Sequence, residues 1–74
     1  MTGEKLKLKQ TLARNMKKHR AALHLTQEQA AERADLTVKY WQRLEMISQS
    51  DLPSVPALAK IAKALNIKIH RLFL

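Results

Sequence analysis

The chain has no cysteine among its 74 residues, so neither a disulfide framework nor a Cys-based zinc site can staple it. One glycine and two prolines are too few for a flexible linker or a low-complexity segment. No apolar run approaches the ~20 residues that a membrane-spanning helix needs. The first residues are charged but are not followed by the apolar stretch of roughly 7–15 residues that marks a secretory signal. A cytoplasmic location is therefore the default expectation. His19, His24 and His70 include no ligand-spaced pair, so no metal is expected, and no other cofactor. Glu28 and Glu32 are one helical turn apart, with no nucleophile or Gly-rich loop beside them, so no enzyme is expected and no catalytic residue is assigned. Acids are also scarce, six against fourteen Lys and Arg.

What remains is one small basic domain, residues 1–74, near the lower size limit for a core without staples. Its core must be well packed, or a second subunit must contribute to it. The net charge is +8, and residues 1–20 hold seven of the basic side chains against a single acid, Glu4. Positive potential gathered in one third of a chain suits a polyanion, because each neutralised phosphate releases counterions. The same charge on a solvated surface would simply keep the domain soluble. A membrane surface fits less well, since no basic helix pairs its charges with a wide apolar face.

Residues 1–7 read as a flexible basic arm or as the run-in to helix 1, because Lys5-Leu6-Lys7-Leu8-Lys9 alternates without a partner strand. From Leu8 the period becomes helical, with Leu8, Leu12, Met16, His19 and Leu23 on one stripe. Arg14, Lys17 and Lys18 fall on the opposite side as a positive surface. Thr26 and Gln29 form a capping-box pattern that opens helix 2, whose inner side is Ala30, Ala31 and Ala34. Asp35-Leu36 is a turn, Thr37 a second cap, and helix 3 is expected over Val38 to Met46. Pro53 to Pro56 reads as a stop followed by a helix start. Val55, Leu58, Ile61, Ala62 and Leu65 are the expected core face of helix 4, and Asn66 closes it. Ile67 to Leu74 is expected as a fifth short helix. The class is all-α.

On a projection of helix 3, Trp41 and Leu44 point inward while Lys39, Gln42 and Arg43 point outward, with Val38 at the exposed N-terminal edge. Such a face suits a DNA major groove. Lys and Arg bond to guanine O6 and N7, Val touches a thymine methyl, and Gln42 takes an adenine or a phosphate. Free backbone N–H groups at the starts of helices 2 and 3 suit phosphate oxygens. From these residues alone, an ordinary solvated helix face would look the same.

The order Arg20, Leu25-Thr26-Gln27, Ala31 and Leu44-Glu45, continued by Pro53-Ser54-Val55 and Ile61-Ala62-Lys63-Ala64-Leu65, resembles the phage repressor and Cro helix-turn-helix family (XRE-like DNA-binding domains). The likeness covers roughly residues 12–73. Its most specific part is Thr-Gln with Ala four residues beyond the Gln and Glu fourteen beyond that Ala. The resemblance implies a compact five-helix domain, with helices 2 and 3 as the helix-turn-helix, that binds operator-type double-stranded DNA as a symmetric homodimer. It places Val38, Lys39 and Arg43 where bases are read. Gln27 falls where helix 2 meets the DNA and Thr37 where helix 3 meets the backbone. Arg20 and Glu45 fall where a structural pair bridges helices 1 and 3. The chain departs from the pattern with Ala30 and Trp41, read as a compensating swap of volume, and with His24 and Asp35 at glycine sites. Its loop after Glu45 is about two residues longer, and Ser48 and Gln49 are the candidate contacts there.

The expectation is a sequence-specific transcriptional regulator, a repressor or Cro-like protein. Val38, Lys39, Gln42 and Arg43 would contact bases. Gln27, Thr37, Arg14, Lys17, Lys18, Ser48 and Gln49 would hold phosphates. The apolar C-terminal residues Ile67, Ile69, Leu72, Phe73 and Leu74 either close the core or supply a homodimer contact. An antitoxin-type protein, binding a partner protein and autoregulating through DNA, is the alternative that this apolar end would serve. A sequence-indifferent nucleic-acid binder using the basic arm is a third.

Overall fold

The computed structural model describes residues 2–48 and 51–74. Four α-helices follow in order, α1 (Thr2–Ala22), α2 (Gln27–Arg33), α3 (Val38–Leu44) and α4 (Val55–Ala64), and a 3-10 helix, Ile69–Phe73, closes the chain. No strand occurs among the described residues. The expected fifth helix is thus a 3-10 turn. Five residues can complete few α-type bonds, and the segment takes the tighter spacing instead, as in Arg71 N–H to Lys68 O at 3.0 Å.

The first correction concerns the N-terminus. Residues 2–7 are not a flexible arm but the opening turns of α1. The buried stripe is also rotated from the expected one: Leu8 is 46% exposed, whereas Lys9 is fully buried. Lys9, Leu12, Ala13 and Met16 stand at i, i+3, i+4 and i+7, and this set, not the one from Leu8, faces inward. The Lys9 ammonium donates to the carbonyls of Met46 (2.7 Å) and Arg43 (3.3 Å), at the end of α3. A basic side chain there satisfies carbonyls that the helix leaves open. On another side of α1, buried Asn15 donates through Nδ2 to Leu72 O (2.9 Å) and Leu74 O (3.0 Å), fastening the chain's end.

Local chemistry sets the other boundaries. Gln29 N–H donates to Thr26 Oγ1 and Thr26 N–H to Gln29 Oε1, so α2 opens on a complete capping box. Tyr40 N–H donates to Thr37 Oγ1 at the start of α3, and Ala57 N–H to Ser54 Oγ at the start of α4. Three helices end alike. His24, Asp35 and Asn66 take φ of 57°, 56° and 58°, and the residue after each donates back to a carbonyl of the final turn. This left-handed turn is where glycine is usual; here short polar or imidazole side chains occupy it. α3 stops at Leu44, two residues earlier than expected, with Glu45 as its cap.

The core gathers Leu12, Met16, Trp41, Leu44, Ile61, Leu65 and Leu72, with small Ala30, Ala31 and Ala34 between them. Each large side chain fully buried there stabilises by about 1.5–3 kcal/mol. Ala30 and Trp41 are both fully buried in this one cluster. Val55 is a second correction. It begins α4 beyond the reach of the core and is 72% exposed, while Leu58 packs against the cluster. At the C-terminal end Leu72 is buried and Ile67 and Phe73 are packed, but Ile69 and Leu74 remain exposed.

Candidate nucleic-acid interface

α3 divides cleanly into two sides. Trp41 and Leu44 are fully buried, while Lys39, Gln42 and Arg43 are exposed and Val38 is half-buried at the leading edge. Thr37, Lys39, Tyr40, Gln42, Arg43 and Met46 line a groove along this outer side. A second recess, lined by Thr26, Gln27, Glu28, Val38 and Gln42, joins the starts of α2 and α3. The four candidate base readers and two of the candidate anchors, Gln27 and Thr37, therefore share one surface. Thr37 Oγ1 accepts from Tyr40 N–H, which leaves its own O–H proton available to an outside acceptor.

The acid at the end of this helix is withdrawn from the surface. Glu45 is 4% exposed and receives four donors: Arg20 Nε (2.8 Å) and Nη2 (3.0 Å), Gln27 Nε2 (2.9 Å) and Trp41 Nε1 (2.6 Å). Arg20 also donates through Nη1 to Leu25 O. Burial acts to raise the Glu45 pKa, but the bonds from Arg20, Gln27 and Trp41, together with the Arg20 charge, outweigh it and hold the carboxyl below its ordinary range. The Arg20 guanidinium is stabilised in turn by its bonds to Glu45. One carboxylate thus joins α1, α2 and α3 and keeps a negative charge off the outer face. Gln27, expected as a DNA anchor, has its amide nitrogen tied into this network.

The remaining basic candidates separate. Arg14 and Lys17 line a recess with Gln10, Ala13, Glu45 and Ile47, so they flank the segment that follows α3. Lys18 is exposed but lines none of the three recesses. Ser48 is exposed just past α3, and Gln49 lies outside the described residues. Sequence reasoning missed Lys9 and Asp51. The spacing of Lys9 to Leu12, Ala13 and Met16 carries a signal for the first, but a lysine on an inner stripe reads against its usual surface role. Asp51 carries no local signal. It reaches the interface through its ion pair with Arg43, Nε to Oδ2 at 3.3 Å.

Comparison with known proteins agrees with this geometry. The profile of the helix-turn-helix domain matches residues 11–71. Among solved structures, the chain is similar to the clp gene regulator ClgR from C. glutamicum, with a TM-score of 0.75 at 23% identity over 88% of this chain and 82% of that one. Identity at that level speaks to the fold. No curated protein sequence matches the chain.

Proposed function

We propose that the chain, which belongs to the helix-turn-helix domain family, is a sequence-specific regulator of transcription of the repressor and Cro form that reads operator DNA with α3. The observation that carries the reading is the two-sided α3. Its outer face offers Lys39, Gln42 and Arg43 beside Val38, and the acid that ends the helix is buried and neutralised. Arg43 and Lys39 suit guanine O6 and N7, Gln42 suits adenine N6 and N7, and Val38 suits a thymine methyl. Gln27, Thr37, Ser48, Arg14 and Lys17 surround that face and would bond to phosphates, fixing the register without reading sequence. Lys18 would add to the positive field.

The protein would act as a repressor-like homodimer on a two-fold site, with half-sites about one helical turn apart. Ile69 and Leu74, exposed at the C-terminal end, support a contact between two copies. A stable complex with a toxin encoded beside it would give that surface a different occupant and favour the antitoxin reading. Selection of bound sequences from random DNA is the direct test. A palindromic motif is the expected result, and a pool without any motif would overturn the proposal.

A further inference from the structure

Arg43 is exposed on the reading face, yet its guanidinium has an ion-pair partner. Its Nε lies 3.3 Å from Asp51 Oδ2, with side chains 58% and 41% exposed. Asp51 belongs to the segment between α3 and α4, so it reaches Arg43 from outside the helix that carries it. It also stands within electrostatic reach of Lys9, the buried lysine bonded to Arg43 O and Met46 O. Burial lowers the Lys9 pKa, the Asp51 charge raises it, and the Arg43 charge lowers it further. Asp51 therefore pairs with one cation on the reading face and lies in the field of a second, fixed in the body of the fold. A pair this open to water contributes little to stability. Its consequence lies in where it leaves the fork.

A guanidinium offers five N–H groups along rigid edges, and guanine takes two parallel bonds through O6 and N7. A carboxylate at Nε occupies one edge and leaves the terminal Nη1 and Nη2 edge for a base. We infer that Asp51 is a positioning residue that determines specificity: it presents Arg43 to guanine and opposes a phosphate at the same place. The inference rests on the reading of Arg43 as a base contact. Two effects follow. An arginine already oriented loses less side-chain freedom on meeting its base, which favours the cognate site. On random DNA, where a phosphate would be the arginine's partner, the Asp51 carboxylate repels it, and this disfavours the wrong sequences.

The test uses the full chain and sites selected by the wild type from random DNA. Affinities for selected and random duplexes are measured for wild type, Asp51→Ala, Asp51→Asn, Arg43→Ala and the Arg43→Ala/Asp51→Ala double variant. Both Asp51 variants should bind random DNA more tightly and lose about tenfold of the discrimination at one base pair. In the Arg43→Ala background, Asp51→Ala should tighten selected and random DNA by one common factor and leave the discrimination unchanged. The inference is overturned if, with Arg43 present, Asp51→Ala shifts selected and random DNA by one common factor or leaves both unchanged, or if its effect on discrimination persists without Arg43. A wild type that selects no motif overturns the reading of α3 and this inference together. A wild type with a motif that the Asp51 variants keep intact overturns this inference alone.

Discussion

Two acid–base pairs lie two residues apart at the end of α3 and are built in opposite ways. Glu45 is buried, meets Arg20 at 2.8 Å with side chains 2% and 16% exposed respectively, and has further donors from Gln27 and Trp41. Arg43 meets Asp51 at 3.3 Å in the open, with side chains more than a third exposed. A buried carboxylate with every lone pair engaged cannot exchange partners cheaply, because each partner lost would leave a charge in a poor solvent. An exposed pair leaves the rest of its guanidinium in water, where a further partner can be taken at little cost. One helix end thus fixes α3 to the domain through one pair and leaves the other in solvent. Burial, not charge, decides which residue does which.

The comparison breaks most visibly at Glu45. Glu45→Ala leaves Arg20 and the Trp41 N–H without their carboxylate and should lower the unfolding free energy by about 3–5 kcal/mol in urea titrations. Wild-type stability in that variant would show that the network does not hold the helices. Acid should reproduce part of the loss. The folded pKa of Glu45 is depressed, so its contribution is complete above the ordinary value near 4.5 and is lost as pH falls below it toward the folded value. Urea midpoints measured down this range should fall more steeply in wild type than in Glu45→Ala. Trp41→Phe keeps most of the ring and removes one donor to a charged acceptor, with an expected cost of about 1.5–3 kcal/mol.

Across the comparison, Arg43→Ala should change stability by no more than about 0.5 kcal/mol. Its effect belongs to binding instead, with about 1–3 kcal/mol lost on the selected site and preference relaxed at one base pair. A melting point lowered as far as that of Glu45→Ala would erase the distinction between the pairs. Lys17→Ala should have the smallest effect, weakening all sequences alike and reducing the salt slope by about 1. Equal losses on selected and random DNA for both Arg43→Ala and Lys17→Ala would remove the base-reading role of Arg43.

Much of the framework was legible because it is local. The Thr26 and Gln29 box, the Thr37 cap, the left-handed Asp35 and Asn66, and the three inner alanines of α2 each depend on neighbours within a few residues. The outward set on α3 was legible for the same reason, since helical phase alone separates Lys39, Gln42 and Arg43 from Trp41 and Leu44. What was not legible depends on distant chain. Lys9 is buried because α3 ends beside it, 34 residues away in sequence. Asn15 is buried because the C-terminus returns to α1, 57 residues away. The alternation around Leu6 and Leu8 fitted an arm as well as a run-in to α1, and the backbone there is helical from Thr2 although both leucines stay exposed.

Read alone, the sequence was enough for the starts of α2, α3 and α4 with their caps, the turn between α2 and α3, and the two-sided character of α3. These follow from backbone sterics, capping bonds and a 3.6-residue period, all short-range. Which charges are sequestered and which are left in solvent is a property of the packed molecule. A carboxylate has the same charge at Glu45 as at Asp51, but the fold surrounds the first with donors and leaves the second in water. Desolvation depends on everything packed around a group, and no window of sequence contains that.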